Sequence, residues 1–408
     1  MAIHESHTHR IPKRQYNECM ARVYAGIDIG THHIKVAIAA PPEHPEAPMH
    51  IIGTGLATSK GMRHGYIVDI GEVTKGIKEA LVRAQSAAGT SVHSARIALG
   101  GVSVDEIRSS GEITLTSSGG IVTERDIERV TQESEKKAAQ KLVNKTVIHT
   151  IPLRFRIDGT PVIGKPHGLQ GAKFGVDTLI VTMLSKHYDD ILTATEAAGI
   201  EVEGVMVSSL AASLVTLTKA QKIAGVALAN IGSETLSIIV FDDDTPVSVK
   251  IFPIGSSDVT SAIALSFRIP LPEAEQVKKG AVTGSDISPK KMQHVVAQEL
   301  KDMFTLINAH LKTIGHQRLL PAGIVITGGG SGLPNIQDIA RTILKLPATI
   351  GIPANLPRSG FADATWAVAY GLCRWAYAED VSSNAYTMKD IWRRGKEMVR
   401  TGFRSLMP

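Results

Sequence analysis

Three short stretches carry residue types whose spacing could do chemistry. "GIDIGTHHIKVAI" (26–38) places Asp28 at the end of an Ile- and Val-rich strand, Gly30 and Thr31 in a turn, and Lys35 on the returning strand. Backbone N–H groups in such a turn can point at a phosphate, and Lys35 can reach the same space. One carboxylate at a strand end is enough for a Mg²⁺ that keeps most of its waters, which makes Asp28 the candidate metal residue. A plain hairpin with a surface Asp and Lys is the competing reading. "IVITGGGSGLPNI" (324–336) runs an apolar strand into Gly328, Gly329, Gly330 and Ser331 and then a helix. Consecutive glycines permit positive φ and close backbone approach to a bulky ligand. The pattern is neither the GxGxxG dinucleotide fingerprint nor a Walker loop; a tight strand–helix turn is the alternative. "ALANIGSETLSIIVFDD" (227–243) is again strand, turn, strand, with Asn230, Gly232 and Thr235 in the turn region. It also puts Glu234 there. Beside a phosphate, two unit charges about 4 Å apart repel by roughly 4 kcal/mol at an intermediate dielectric. Turning Glu234 outward, or against Lys35, would relieve this.

The elements that must position these stretches are legible in outline. Residues 22–40 and "HIIGTGLATS" read as a β-meander, and "DIGEVTKGIKEALVRAQSAAG" has helical apolar spacing that stops at Gly89. "TERDIERVTQESEKKAAQKL" is a polar amphipathic helix with a Thr cap and Glu124 and Asp126 in its first turn. Residues 95–174 read as an inserted module, after which "VDTLIVTMLS" restarts a buried strand. The strand–turn–strand at 225–241 matches the one at 24–38 in length and layout, which implies an internal duplication. "SPKKMQHVVAQELKDMFTLINAHLKTI" is a long helix, and 379–387 ("EDVSSNAYT") reads as a linker.

Composition bounds the rest. The chain has 408 residues, 43% hydrophobic and 20% charged, enough for two or more domains with sizeable cores. No run approaches the roughly 18 apolar residues of a membrane span. Residues 1–21 have no signal-peptide core and read as a flexible tail, whose His4, His7 and His9 form a solvated stretch rather than a metal site. Two cysteines in no CxxC pattern argue against a disulfide scaffold or a zinc site and fit a reducing cytosol. Of the net charge of +5, residues 388–408 supply +4. A nucleic-acid binder more often spreads positive charge over a folded face, so no nucleic-acid partner is expected.

That last segment, "MKDIWRRGKEMVRTGFRSLMP", is amphipathic. At about 100° per residue, Met388, Ile391, Trp392, Met398, Val399, Phe403 and Leu406 fall on one arc of roughly 140°. Lys389, Arg393, Lys396, Arg400 and Arg404 fall opposite. Gly395 and Gly402 weaken the helix in water by about 1 kcal/mol each, so it would fold best against a surface. A basic face opposite Trp and Phe suits an anionic lipid membrane, with about 1 kcal/mol of attraction per basic residue. A docked terminal helix and a partner-binding helix are the alternatives.

Two strand–turn–strand loops followed by a GGG turn resemble the actin-like ATPase superfamily. "GMRHGYIVDIGEVTKGIKEAL" (61–81), "ARIALGGV" (95–102), "SSGGIVTERDIERV" (117–130), "IHTIPLRFRIDG" (148–159), "ATEAAGIEVEGV" (194–205), "PEAEQVKKG" (272–280) and "FADATWAVAYGL" (361–372) narrow it to the bacterial cell-division family FtsA, over about residues 22–378. The resemblance implies an α/β fold of the actin-like (ribonuclease H-like) type. Two lobes built from 22–94 and 175–378 would carry an FtsA-type subdomain at 95–174. It implies ATP or ADP with Mg²⁺ as ligand. Asp28 would hold the metal's water shell, and Gly30, Thr31 and Lys35 would contact phosphates. Glu275 and Lys278 would flank the adenosine, with Gly328 to Ser331 supporting it. Partners implied are the tail of the tubulin-like FtsZ, further copies of the chain in a filament, other division proteins through the subdomain, and the inner face of the cell membrane at the division site. Two departures stand out. The family's second phosphate loop resembles DIGGGTTD, whereas "NIGSETLS" (230–237) has Asn230 and Ser237 for the two Asp residues and a single glycine of three. Weak or absent ATP hydrolysis is therefore expected. The stretch after 280 is also short where FtsA has a longer FtsZ-binding excursion. A pilus- or secretion-assembly scaffold and a sugar-kinase-like enzyme are the rival readings.

Overall fold

The expected meander forms from three antiparallel strands, β1 (Tyr24–Ile29), β2 (His33–Ala40) and β3 (His50–Thr58). The computed structural model describes residues 22–44, 47, 49–116, 119–281, 287–353 and 364–384. The N-terminal tail, the shortened stretch at 282–286 and the whole amphipathic segment lie outside the described residues. A small hairpin, β4 (Met62–Arg63) with β5 (Tyr66–Ile67), leads into α1 (Ile70–Ala88). Asp69 caps α1 by accepting the Glu72 N–H at 3.0 Å, and Gly89 ends it at φ 65°. The helix lies flat on β3 because β3 has no side chain at Gly55, where a Cβ would stand 1.8 Å from the Ala80 carbonyl oxygen. Strand β6 (Ser94–Leu99) then runs parallel to β1.

The inserted module follows: β7 (Asp105–Thr114), α2 (Glu124–Lys137), β8 (Lys145–Ile157), β9 (Thr160–Pro161) and β10 (Lys173–Leu184), in sheet order β7-β10-β8-β9. Thr123 caps α2, as the sequence predicts, and Asp126 returns the bond by accepting the Thr123 N–H at 3.0 Å. The expected limits of 95–174 need correction at both ends. Residues 94–99 belong to the first lobe's sheet, and the strand expected to restart the core at 176 is the central strand of the insert. Its side chains explain the misreading. Leu179, Val181 and Met183 enter the first lobe's core, while Ile180 packs on Ile107 and Ala138 within the insert. A strand buried on both faces reads as core whichever sheet it pairs with.

The chain returns through α3 (Ser185–Ala197), β11 (Glu201–Val207) and α4 (Ser208–Thr216), completing a first-lobe sheet of order β11-β6-β1-β2-β3. The second lobe repeats the plan. After α5 (Lys219–Ala224) come β12 (Val226–Ile231), β13 (Leu236–Asp242) and β14 (Thr245–Phe252), an antiparallel meander. Helices α6 (Ser256–Phe267), α7 (Leu271–Lys278) and α8 (Pro289–Thr313) precede β15 (Ile324–Thr327), α9 (Ile336–Leu344) and β16 (Ala348–Ile350). The order β14-β13-β12-β15-β16, with β12, β15 and β16 parallel, copies the first sheet. The duplication expected from two similar hairpins thus extends to whole lobes.

Helix α10 (Ala367–Asn384) crosses back to the first lobe. It packs on β1 at Gly26, where a Cβ would meet the Ala369 carbonyl oxygen at 2.3 Å. The helix continues through residues 379–384, which corrects that part of the linker expected at 379–387; residues 385–387 lie outside the described residues. Glu379 pairs with Arg96 at 2.5 Å, and Asp380 takes Arg22 at 2.5 Å and the Tyr24 hydroxyl at 2.7 Å. The insert is fastened to the second lobe along edge strand β14. Glu106 accepts the Val249 N–H at 2.7 Å and the Ser248 hydroxyl at 3.1 Å, and Arg108 donates to the Val247 carbonyl at 2.8 Å. Side chains of β7 thereby cover backbone groups that an edge strand would otherwise offer to another chain.

Candidate functional site

The two hairpins are built in the same register, so their turns can be compared residue by residue. Asp28 faces Lys35 across β1 and β2, as Asn230 faces Ser237 across β12 and β13. In each turn a glycine N–H closes the loop. Gly30 donates to the His33 carbonyl at 3.1 Å and Gly232 to the Thr235 carbonyl at 2.8 Å. The position that carries a charged pair in the first lobe carries two neutral polar residues in the second.

In the first turn, Lys35 Nζ lies 3.6 Å from Asp28 Oδ2, both side chains being largely buried. Burial pushes the Asp28 carboxyl above its ordinary value, and Lys35 pulls it back. Burial also keeps His33 neutral, down to about 4, and lowers His32. The charge of Glu275 opposes that lowering at His32, so the tip of the first hairpin lies within electrostatic reach of α7.

The second turn rests on the N-terminus of α6. Ser256 N–H donates to the Gly232 carbonyl at 2.9 Å, and Ser257 donates to the Ser233 carbonyl through its N–H at 2.8 Å and its hydroxyl at 2.6 Å. Lys278 of α7 closes the same corner, donating to the Ser256 carbonyl at 3.0 Å and the Thr260 hydroxyl at 2.8 Å. Its ion pair with Glu275 is 2.7 Å long. Burial works to raise the Glu275 carboxyl, but hydrogen bonds from Lys278 and Thr260 outweigh it and hold the group at about 2. The two residues expected to flank an adenosine are held by each other and by α6.

The GGG turn packs against the second hairpin. Gly328 has φ +86°, and a Cβ there would lie 2.4 Å from Asn230 Oδ1 and 2.6 Å from the Ile231 carbonyl oxygen. A Cβ on Gly330 would lie 2.4 Å from Ile231 Cγ2, whereas one on Gly329 would meet only Thr365 Cγ2, at 3.9 Å. Two of the three glycines are therefore required by the fold, and exposed Gly329 is the one that leaves room for a ligand. The Ser331 hydroxyl donates to the Gly328 carbonyl at 2.7 Å and is buried.

Glu234 takes neither of its expected positions. Its carboxylate accepts the N–H of His64, from the β4–β5 hairpin of the first lobe, at 2.6 Å, and its carbonyl lies 3.2 Å from His64 Nδ1. His64 was not singled out from the sequence. Gly61 and Gly65 around it signal a tight turn, but no local pattern carries a contact spanning 170 residues. The structure thus gathers Asp28, Gly30, Thr31 and Lys35 on one side of a cleft and Asn230, Gly232, Thr235, Glu275 and Lys278 on the other. Gly328 to Ser331 stand behind the second group.

The turn glycines and Lys35 fit a phosphate ligand. For a hydrated divalent metal the carboxylate on offer is Asp28. Asp28 already faces an ammonium.

Two lobes of matching topology around a cleft, with a module inserted in the first, define an actin-like fold. Among solved structures it is similar to the PilM-PilN type IV pilus biogenesis complex (TM-score 0.67, 18% identity, covering 87% of this chain and 98% of that one). It also resembles the ethanolamine utilization protein EutJ of Carboxydothermus hydrogenoformans (TM-score 0.53, 15% identity, 88% and 91%). The family model for cell division protein FtsA matches residues 227–371, and that for the SHS2 domain inserted in FtsA matches 101–182. The second match agrees with the corrected limits of the insert. Curated cell division proteins FtsA are similar over most of their length: 28% identity in Pseudomonas aeruginosa (82% of this chain, 84% of that one), 27% in Borreliella burgdorferi (85% and 89%) and 26% in Escherichia coli K12 (91% and 94%). The chain belongs to the FtsA family of cell-division proteins.

Proposed function

We propose that this chain is a membrane-tethered, actin-like adaptor that polymerises beneath the cell membrane and links FtsZ filaments to it at the division site. The observation that carries the reading is the pairing of an FtsA-type insert with an actin-like body. In sequence, that body is followed by a basic amphipathic segment at 388–408. Among the described residues no helix is long and apolar enough to cross a membrane, so attachment would rest on that segment. Nucleotide, ATP or ADP, would act as a structural ligand more than a substrate. Asn230 and Ser237 bring no charge to hold a metal or polarise a water, and Glu234 is engaged elsewhere. Gly30, Thr31, Lys35, Gly232 and Gly329 would contact it. The kinase reading lacks a carboxylate in the second loop free to act as a base.

Co-sedimentation with anionic liposomes and an FtsZ tail peptide tests the reading. The full chain should pellet with vesicles and bring the peptide down, and a chain ending at 387 should release both. Persistent vesicle binding by the truncated chain would refute the anchor, and a peptide left in the supernatant would refute the FtsZ link. Turnover of Mg-ATP at rates ordinary for an actin-like ATPase would overturn the assignment of nucleotide as a structural ligand.

A further inference from the structure

The contact between Glu234 and His64 joins the two lobes, and it is built at both ends. On the second lobe, the loop bearing Glu234 is fixed by the Ser256 and Ser257 bonds to Gly232 and Ser233. On the first lobe, His64 adopts φ 47°, a left-handed conformation uncommon for a residue with a side chain. Such an outlier persists only where surrounding contacts determine it. Here the contacts are evident. Gly61 and Gly65 on either side also have positive φ, and a Cβ on Gly65 would lie 2.4 Å from Gly101 Cα. The His64 carbonyl accepts the Val102 N–H at 3.2 Å. Gly101 and Val102 form the root of the insert, just past β6. One residue therefore receives the second lobe through its N–H and holds the root of the insert through its carbonyl.

Glu234 supplies what a phosphate would supply, an anion that accepts backbone N–H across the cleft. A carboxylate accepting a backbone N–H is a charge-assisted bond, stronger than a neutral one. In register, Glu234 corresponds to His32 of the first turn, so only the second lobe places an anion at this position.

We propose that Glu234 and His64 form a built-in clasp that holds the cleft closed without nucleotide and ties that closure to the root of the insert. The clasp goes beyond the proposed function and depends on neither lipid nor FtsZ. Hydrogen exchange on the full chain tests it. In the wild type, residues 61–68 and 100–104 should exchange at the same slow rate with and without Mg-ATP. In Glu234→Ala without nucleotide both segments should exchange about tenfold faster, as expected for loss of a charge-assisted hydrogen bond. Glu234→Gln keeps the shape and an acceptor oxygen and should fall between the two. In both variants α8 should exchange at its wild-type rate, separating loss of the clasp from misfolding. Wild-type exchange at 61–68 in both variants would overturn the proposal. So would faster exchange confined to 232–237, or marked slowing of the wild-type hairpin by Mg-ATP.

Discussion

Glu275 and Lys278 are three residues apart on one helix, so their adjacency is legible in the sequence, but their role is not. The family resemblance places them beside an adenosine; in the structure they hold each other and the start of α6. Lys278 is only 9% exposed, so removing its partner leaves an ammonium without a counter-ion. Glu275→Gln should cost about 1–3 kcal/mol at pH 7, read by urea unfolding. The pH dependence follows from the carboxyl being held at about 2 against an ordinary 4.5. A depressed carboxylate contributes stability that is fully present above 4.5 and is lost as pH falls through 2. The gap between wild type and Glu275→Gln should accordingly narrow at pH 3, and a gap unchanged from pH 7 would mean that charge has no part in it. Glu234 marks where residue-level reading stops. Its charge and its place in a phosphate-like turn are in the sequence, and so is the repulsion a phosphate would meet. The N–H that accommodates the charge belongs to a hairpin 170 residues away.

Helix α10 joins α4 and β1 into the first lobe, and two of its contacts depend on different physics. In its middle the contact is steric. A Cβ on Gly371 would stand 1.8 Å from the Ala211 carbonyl oxygen, so Gly371→Ala must push two helices apart. Overpacking of this kind should cost about 1–3 kcal/mol, read as a lower thermal midpoint; an unchanged midpoint would show that the helices separate freely. Near its end the contact is ionic. The Arg96 guanidinium lies 2.5 Å from Glu379 and 4.3 Å from the centre of the Trp375 ring, and Arg96 is 9% exposed. Glu379→Ala removes that guanidinium's direct partner, leaving only the charges of Glu203 and Asp380, and should destabilise by about 3 kcal/mol, whereas adding Arg96→Met should restore part of the loss, because an apolar side chain needs no partner there. Equal unfolding midpoints for the single and double variants would exclude a stranded charge as the cause. The elements themselves were largely legible. The Thr123 cap, the Gly89 stop and the long helix at 289–313 follow from periodicity and capping alone. The misplaced boundaries share one cause. Strand β10 and the segment at 379–384 take their identity from what they pair with, and pairing is a long-range property.

At the scale of the molecule, three histidines kept neutral by burial stand where its parts meet. His149, on β8 of the insert, accepts the Val207 N–H of the first lobe through Nε2 at 3.2 Å, and burial lowers it to about 3. His310 of the second lobe, lowered to about 4, shares a 2.8 Å hydrogen bond with Ser248, which in turn donates to Glu106 of the insert. His33, lowered to about 4 by burial and by His32, is on the first hairpin within reach of the Lys279 charge beyond α7. The sign is the same for each. A group whose folded value lies below its ordinary 6.5 binds fewer protons folded than unfolded between the two values, so stability falls as pH falls through that window. For fully buried His149 the slope approaches about 1.4 kcal/mol per pH unit. A protonated His149 can no longer accept the Val207 N–H, so acid should part the insert from the first lobe before it melts either one. The thermal midpoint should therefore fall between pH 7 and pH 5, with hydrogen exchange at β8 and β11 rising ahead of that at α8. His149→Gln, which keeps an acceptor but does not titrate, should flatten the fall. An equally steep fall in that variant would place the acid sensitivity at the other two junctions, where His310→Gln or His33→Gln would then have to remove it.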